Sequence, residues 1–529
     1  MSFSRSTVTT GRFRSITLNG VNGIAGAGAN GGIWYTTNGG QNWAQSLTLD
    51  IEGNYNNITG NFNSVSLSLS GTVGIAGSDS NFGIYYTTNG GQTWTPSNVN
   101  TGYFSSVYLS GYNGIAGSDG IYYSTDGGQT WTRGDDADTG LFLTGYFSSV
   151  SLSLSGTVGI AGSNSNKGIY FNPNSNNLSL WSKSYNFTTR STLTGYFRSV
   201  YLYEYNGIVY GIAGSGSDKG IYYNNKNVHG SPYLVSDWSQ SYNLTTAGPL
   251  TGSFNSVYLY EYNGTVYGIA GSDGLGIYYS TDGGETWTPS NVSAGTFASV
   301  ALSGTTGFLN GLAASNSGSG IWCSTDGGET WTPSNVSAGT FASVALSGTT
   351  GLAGSSDNSG LYYASTPFCY EKNTFIKILE NNQEIYKKIV DLNVGDLVKT
   401  YKHGYKKIKF INKFKHNCFD KKNPLYNMYK MKDHDIILTG GHSILVDELT
   451  EKEQLNNNKY NFNSTIEDKK LLLVSSSDKF EQLPNDVEYE LCHLVLENEN
   501  IYGKYGIYIN DDILSETCSE DEFGKKFNI

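Results

Sequence analysis

A repeated segment in the first part of the chain limits the folds that it can adopt. In its clearest copy the segment reads GIYYSTDGGQTW, at residues 120–131. Its opening glycine recurs at positions 32, 83, 120, 168, 220, 276, 320 and 360, and a phenylalanine-led stretch precedes each copy. Repeats of about 40 to 50 residues that each contain several short strands are typical of β-propellers and not of helical solenoids.

Each repeat is interpreted as four short strands. The stretch FSSVYLS, which starts at Phe104, alternates apolar and polar residues and therefore predicts a strand. The small residues of GIAGS (114–118) suit a close backbone approach, and the aromatic GIYYS (120–124) favours a third strand. An Asp-Gly pair then predicts a tight turn into TWT, the outer strand. Four such strands make one blade of an all-β propeller.

The strand count predicts eight blades, with seven as the alternative. Phenylalanine-led and GIYY-type strands each occur eight times, but tryptophan strands occur only seven times, at positions 43, 94, 131, 181, 238, 287 and 331. We expect the N-terminal segment 5–10 to supply the missing outer strand by pairing with residues 361–365. Such closure removes the exposed sheet edges that invite aggregation.

The turn between the third and outer strands resembles a named motif. The pattern Ser124-x-Asp126-x-Gly128-x-Thr130-Trp131 is similar to the Asp-box of sialidase-like and sortilin-like propellers. Asn38 and Asn89 replace the aspartate in two earlier copies, which argues against a catalytic acid. We therefore predict that the carboxylate accepts hydrogen bonds from turn amides while the tryptophan packs between blades. The residues of the full boxes are Asp126, Trp131, Asp282, Trp287, Asp326 and Trp331.

The propeller is predicted to bind a partner and not to catalyse a reaction. Sialidases of this architecture use three clustered arginines, a Tyr–Glu nucleophile pair and an aspartate. This region has six arginines, and GRFRSI (11–16) lacks the Arg-Ile-Pro signature of that family. Residues 280–307 and 324–351 are identical over 28 positions, which indicates a duplicated surface and not one unique pocket. The expected ligand is a protein or a glycan.

The composition changes abruptly at Cys369. Before it lie 60 of the 67 glycines and only four lysines, whereas 23 lysines and no arginine follow it. We predict a propeller over residues 1–366, a second domain over 367–518 and a tail over 519–529. Both halves are net acidic, so a nucleic-acid partner is not expected.

Four blocks of the second domain resemble the Hint domain of Hedgehog C-terminal regions and inteins. They are Cys369 with Thr374, the segment from Asp391 to Val398, Thr439-Gly-Gly-His442, and residues 489–518. The blocks occur in the family order and cover nearly the whole domain. The resemblance implies an all-β Hint fold that processes its own chain.

The resemblance also implies a set of reacting residues. Cys369 would attack the carbonyl of Phe368 and convert the amide into a thioester, since a thiolate is a strong nucleophile. His442 would protonate the leaving amine, Thr439 would hold the scissile peptide, and His493 is a weaker acid–base candidate. Water or an unidentified nucleophile would resolve the thioester. We expect His442 to lie in a loop with little core packing, and we expect no cofactor and no metal.

Several departures from the family limit this interpretation. Inteins that splice end in His-Asn, which the segment INDDILSETCS (509–519) lacks, so splicing is not expected. Phe368 stands where Hedgehog-type domains have glycine. Cys518 has no assigned role beyond that of a second thiol or a redox lock. The alternative function is a non-catalytic propeller that binds at a surface and carries an inactive Hint domain.

The location of the protein is predicted only by exclusion. The N-terminus has no apolar signal core, and no apolar run approaches the ~18–20 residues that span a bilayer. The arrangement of a propeller and a Hint domain, rich in lysine and asparagine, resembles proteins of giant DNA viruses. We therefore expect the cytoplasm of a host cell or a virion.

Overall fold

The computed structural model of the protein describes two compact units. One is built from Phe3–Thr305 with Leu309–Ala364, and the other lies within Ser365–Ile529. No helix among the described residues is long and apolar enough to cross a bilayer. The described residues are 3–20, 22–49, 52–79, 81–173, 178–225, 236–305, 308–348, 350–364, 370–417, 427–458, 465–484, 487–498 and 504–517.

The first unit is a β-propeller with eight blades in the described residues, and the inner, second, third and outer strands of each blade pair antiparallel in that order. The inner strands are Phe13–Asn19, Phe62–Leu67, Ser106–Ser110, Phe147–Leu152, Phe197–Tyr205, Phe254–Tyr262, Phe297–Thr305 and Phe341–Ser347. The second strands are Asn22–Ala27, Gly74–Ser78, Asn113–Gly117, Gly159–Ser163, Ile208–Ser215, Thr265–Ser272, Phe308–Ser315 and Thr350–Ser355. The third strands are Ile33–Thr36, Ile84–Thr87, Ile121–Ser124, Ile169–Asn172, Ile221–Asn225, Ile277–Ser280, Ile321–Ser324 and Leu361–Ala364.

The outer strands confirm the predicted closure of the ring. Seven of the described outer strands follow the third strand of the same blade in the sequence. The outer strand of blade 8 is instead Ser4–Arg5, at the start of the chain. It pairs antiparallel with Leu361–Ala364, with Ser4 opposite Tyr363. The paired strand is shorter than the predicted 5–10, although Val8 still accepts a bond from the Leu361 amide. The others are Ala44–Gln45, Thr93–Pro96, Thr132–Arg133, Leu180–Lys183, Asp237–Gln240, Thr286–Pro289 and Thr332–Pro333.

Four blades gain strands that the sequence did not predict. The linkers into blades 2, 4, 5 and 6 are longer than the others and place a strand parallel to the outer strand of the blade that follows. Each added strand covers an edge that would otherwise expose unpaired backbone groups. The added strands are Leu47–Leu49, Tyr55–Asn57, Asp135–Asp136, Tyr185–Asn186, Tyr242–Asn243 and Gly248–Pro249.

A ring of serines joins the inner strands of neighbouring blades. The serine two positions after each leading phenylalanine accepts a hydrogen bond from an inner-strand amide of the next blade, for example Ser64 from Val107 at 3.0 Å. The last bond, from the Ile16 amide to Ser343, joins blade 8 to blade 1. The other acceptors are Ser15, Ser106, Ser149, Ser199, Ser256 and Ser299. Successive inner strands therefore contact one another in a closed ring.

The two faces of the propeller carry different turns. The turns that follow the inner strands and the third strands, such as 110–113 and 124–131, lie on one face, which we call the Asp-box face. The turns between second and third strands, such as 118–120, lie on the opposite face together with the segments that lead into each inner strand. Because strand direction alternates within a blade, this division holds for every repeat.

The C-terminal unit is nearly all strand. Its described strands join one sheet of fourteen strands, of which Tyr405–Asn417 and Glu488–Leu496 form a long antiparallel pair. The core is formed by residues such as Ile376, Leu438 and Leu494. The other strands are Tyr370–Glu371, Phe375–Glu380, Gln383–Lys388, Leu397–Lys399, Met428–Met431, Ile437–Thr439, Ser443–Val446, Thr465–Ile466, Lys469–Leu473, Phe480–Gln482, Gly506–Ile509 and Ile513–Glu516.

Short turns and one α-helix connect these strands. The helix, Glu451–Asn458, starts with a capping box in which the Glu453 amide donates to Thr450 and the Thr450 amide donates to the Glu453 carboxylate. Before Leu397, Gly395 has φ +96°, a conformation that favours glycine, and the Asp396 carboxylate accepts from the Asn393 amide at 3.0 Å. The 3-10 turns are Ile389–Asp391, Val474–Ser476 and Asn510–Asp512. An all-β unit was predicted, and its assignment to the Hint fold stays a prediction.

Candidate functional sites

The strand that begins at Tyr370 lies between two other strands of the C-terminal unit. Tyr370 pairs antiparallel with Leu438 on one side and with Cys492 on the other. These three residues are almost fully buried in one hydrophobic core. Thr439 and His493, which directly follow Leu438 and Cys492, are also buried. The fold therefore brings two of the candidate residues to the two sides of one short strand.

His442 lies against the same strand from a third direction. Its ring centroid is 4.4 Å from that of Tyr370, and its side chain is 2% exposed. The His442 amide donates to the Thr439 carbonyl at 3.0 Å, so a tight turn joins these two candidates. The expectation that His442 has little core packing is wrong, because its side chain is buried and packs against the Tyr370 ring.

The hydrogen bonds around His442 define which nitrogen carries its proton. Nε2 lies 2.9 Å from the Ser515 hydroxyl, and that hydroxyl donates its own hydrogen to the Ser443 carbonyl at 3.1 Å. A hydroxyl has one hydrogen, so Ser515 accepts from Nε2. Nδ1 is therefore the basic nitrogen of neutral His442, and it is the atom that can take up or release a proton.

Other residues of the predicted Hint motif fall into different environments. Thr374 is 2% exposed, and its hydroxyl has no hydrogen-bond partner among the described residues. Phe368, Cys369 and Cys518 lie outside the described residues. The thiol nearest to the Tyr370 strand in the described part is Cys492, whose pKa burial raises to about 12. Cys492 therefore stays a neutral thiol near pH 7 and is a poor nucleophile.

The Asp-box residues of the propeller bind their own turns. The Asp126 carboxylate accepts hydrogen bonds from the Thr130 amide at 2.9 Å and from the Ser124 hydroxyl at 2.8 Å. The Trp131 indole donates to the Gly128 carbonyl at 2.8 Å, and its ring is 3% exposed. Asn89 accepts from the Thr93 amide at 3.0 Å, the same bond with an amide oxygen. The boxes at Asp282–Trp287 and Asp326–Trp331 repeat this geometry.

A cluster of tyrosines on blades 5 and 6 was missed by the sequence interpretation. Its deepest pair, Tyr201 and Tyr258, has ring centroids 4.4 Å apart, and Tyr203 and Tyr260 follow at 6.0 Å. Tyr201 also contacts Tyr108 of blade 3, with centroids 6.5 Å apart. We define the tyrosine cluster as Tyr201, Tyr203, Tyr205, Tyr210, Tyr258, Tyr260, Tyr262 and Tyr267. A comparison of equivalent repeat positions could have found it, since blades 3, 5 and 6 have tyrosine at the position of Tyr201 and the other five blades have Ser, Thr or Ala.

No group of three or more histidine, cysteine, aspartate or glutamate side chains is arranged to hold a metal ion within the described ranges. The C-terminal unit has ion pairs on its surface, such as Lys452 with Asp478 and Lys402 with Asp468. Pairs of this exposed kind contribute about 0–1 kcal/mol each.

One family pattern matches the chain. It is the BNR/Asp-box repeat, which matches at residues 85–96, 122–133, 278–289 and 322–333. The matches fall on the third and outer strands of blades 2, 3, 6 and 7. No curated protein sequence matches the chain.

Solved structures that resemble the chain cover its propeller at low identity. "YCF48 bound to D1 peptide" is 17% identical over 69% of this chain and 95% of that chain, with a TM-score of 0.41. The computationally designed Ika8 protein is 9% identical over 68% and 98%, with a TM-score of 0.45. YCF48 from Cyanidioschyzon merolae is 15% identical over 62% and 99%, with a TM-score of 0.40. Likenesses at this level carry no information on function.

Proposed function

We propose that the eight-bladed propeller with BNR/Asp-box repeats is a binding module, and that the C-terminal unit is a Hint-type module that cuts the bond between Phe368 and Cys369. One observation carries the proposal of cleavage: the partners of Tyr370 are directly followed by Thr439 and His493. Thr439 and His493 therefore belong to the two strands that pair on either side of Tyr370, the residue that directly follows Cys369 in the sequence.

The proposed reaction is an N-to-S acyl shift. Cys369 loses its thiol proton, and its sulfur forms a bond to the carbonyl carbon of Phe368. The C–N bond then breaks, its electron pair stays on the nitrogen of residue 369, and that nitrogen takes up a proton. The product is a thioester between Phe368 and Cys369. Water or another nucleophile attacks this thioester, releases the propeller with Phe368 at its end, and leaves a free thiol.

The environment of His442 supports its role as the proton donor. Ser515 and the Tyr370 ring hold the imidazole, and Nδ1 is the nitrogen that exchanges a proton. The turn that joins Thr439 to His442 keeps the two side chains in a fixed relation. His493 is the second acid–base candidate because it flanks the strand from the other side.

The test is the fate of the full-length chain. Purified wild-type protein should resolve with time into two fragments, and N-terminal sequencing of the smaller should start at Cys369. Added thiols or hydroxylamine should accelerate the cleavage, since both attack thioesters. Cys369→Ala should leave the chain whole.

Cys492→Ala is the matched control, because it removes the nearby thiol whose pKa is raised. It should cleave at the wild-type rate. Cleavage that depends on Cys492, or fragments that do not start at residue 369, would refute the assignment. A wild-type chain that stays whole with thiols present identifies the C-terminal unit as inactive, and the protein is then a propeller that binds without processing.

A further inference from the structure

The two faces of the propeller differ in the sign of their charges. The described turns of the Asp-box face contain carboxylates and no lysine, arginine or histidine. The opposite face has both signs, with ion pairs such as Arg14 with Asp79 and Arg198 with Asp273. The acidic residues of the Asp-box face are Asp126, Glu204, Glu261, Asp282, Glu285, Asp326 and Glu329. A field of one sign attracts partners of the opposite sign.

The same face exposes apolar and aromatic groups. Leu69, Tyr112 and Leu154, in the turns that follow the inner strands of blades 2 to 4, are 72%, 65% and 46% exposed. The upper part of the tyrosine cluster lies on the inner hairpins of blades 5 and 6, where the inner strands are longer than those of blades 1 to 4. Exposed apolar groups such as Phe82 and Tyr103 also occur on the opposite face, so the sign of the charge and the tyrosine cluster are what distinguish the Asp-box face.

The tyrosine cluster forms two columns of rings on neighbouring blades. Tyr201, Tyr203 and Tyr205 alternate along one inner strand, and Tyr258 and Tyr260 stand beside the first two on the next strand. Residues two apart on a strand are separated by about 6.6 to 6.8 Å. Side chains on one side of an extended peptide have the same spacing, so the columns match a partner in extended conformation.

The rings remain neutral and therefore attract cations by their faces only. Burial raises the pKa of Tyr203 and of Tyr210, and that of Tyr201 lies well above its usual value. Aromatic faces bind ammonium and guanidinium groups through the ring quadrupole. The carboxylates of Glu204 and Glu261 lie on the same hairpins, where they accept hydrogen bonds from the Ser155 and Gly264 amides, and they add negative charge to this face.

We infer that the Asp-box face binds an extended, lysine- or arginine-rich segment of a partner protein, with basic side chains at alternate residues lying against the solvent-facing rings of the tyrosine columns. The inference rests on the proposed role of the propeller as a binding module. It commits to a basic polypeptide because the face combines ring columns at strand spacing with described turns that contain carboxylates and no basic side chain.

The test uses the full-length chain and a fluorescein-labelled peptide of six Lys-Ser repeats. Fluorescence anisotropy should show saturable binding that weakens as salt rises from about 0.05 M to 0.5 M, where screening shortens the range of charge interactions. Tyr203→Ala and Tyr260→Ala should each weaken binding by about tenfold. Glu204→Gln with Glu261→Gln should weaken it and also reduce its dependence on salt.

Three controls make the outcome decisive. Tyr103→Ala removes a tyrosine that is 58% exposed on the opposite face, and it should not change binding. Tyr203→Phe keeps the ring and should bind within about twofold of wild type even if Tyr203→Ala loses stability. A peptide of six Glu-Ser repeats should not bind.

Two results would overturn the inference. One is a Lys-Ser peptide that fails to bind at low salt, or that binds equally to the tyrosine variants. The other is a neutral oligosaccharide, such as cellohexaose, that binds the same face in its place. The second result would leave the propeller a binding module with a different ligand. Neither result bears on self-cleavage, which is measured by fragment mass.

Discussion

The propeller and the C-terminal unit are both β-structures, yet they distribute their interactions differently. In the propeller, the serine bond between inner strands recurs in every described blade. The Asp-box turn recurs with either Asp126 or Asn89 as acceptor. Around Tyr370 of the C-terminal unit, the described contacts with His442, Leu438 and Cys492 have no such copies.

This difference predicts how each unit responds to mutation. A repeated contact carries a small share of the stability of a ring, so the loss of one copy is local. A contact that is made only once has no substitute. A substitution should therefore have its largest effect at a buried polar residue that occurs once, in the C-terminal unit. It should have its smallest effect at a propeller position where the repeats already contain different residues.

The largest effect is expected from His442. His442→Gln keeps an N–H that can donate to Ser515 but cannot transfer a proton, and loss of a general acid costs about 10²–10⁴ in rate. Cleavage of the full-length chain, followed by intact mass, should slow by that factor while thermal unfolding stays near that of wild type. Ser515→Ala is the companion variant, and it should slow cleavage less because Nδ1 remains. Wild-type cleavage by His442→Gln would exclude this residue as the proton donor.

Phe3 tests the N-terminal clasp that makes the ring continuous. Its side chain is 3% exposed, and its amide and carbonyl bond to the Asn335 side chain. Phe3→Ala should lower the free energy of unfolding by about 3 kcal/mol, the cost of deleting a buried phenylalanine side chain. Phe82→Ala, at a residue that is 44% exposed in the same unit, should change it by less than about 0.5 kcal/mol. If Phe3→Ala and Phe82→Ala lowered the free energy of unfolding equally in denaturant, the role of Phe3 in the clasp would be contradicted.

The serine ring tests whether the blades are equivalent. Ser64→Ala, Ser199→Ala and Ser299→Ala each leave one inner-strand amide of the next blade without its acceptor. Each should cost about 1–2 kcal/mol in chemical denaturation, the penalty for an unsatisfied buried amide. The three losses should agree within about 0.5 kcal/mol. A loss of stability in only one of the three variants would mean that the serine bonds do not contribute equally around the ring.

The smallest effect is expected at the Asp-box. Asp126→Asn should change stability at pH 7 by less than about 0.5 kcal/mol, because Asn89 makes the same bond in blade 2. Partial burial raises the pKa of Asp126, but hydrogen bonds from Thr130, Ser124 and Gln129 lower it below the usual value. The contribution of its charge is therefore present above the unfolded pKa of about 3.9 and is lost as pH falls through the folded value.

A pH series of thermal melts checks this sign. Wild type should lose stability relative to Asp126→Asn below about pH 4, and the two proteins should be nearly equal near neutrality. A difference that grows as pH rises above neutrality would contradict the assignment of the shift to Asp126.

Parts of the functional interpretation rest on sequence alone. The Hint assignment, the acceptor of the thioester, the viral arrangement and the location stay predictions. Cys369 itself lies outside the described residues, so its contribution depends on the cleavage experiment. Cys492 pairs with Tyr370 and Ser515 contacts His442, so variants of these two residues serve as separate controls for the cleavage experiment.

The sequence by itself determined the blades and the clasp. Each blade is encoded within one repeat by strand alternation, turn glycines and a buried tryptophan, so a local pattern is sufficient. The tertiary structure alone decided which tyrosines of different blades meet, that His442 is buried, and that Leu438 and Cys492 flank Tyr370. These contacts join residues far apart in the chain, and sequence periodicity carries no information on the register of such pairs.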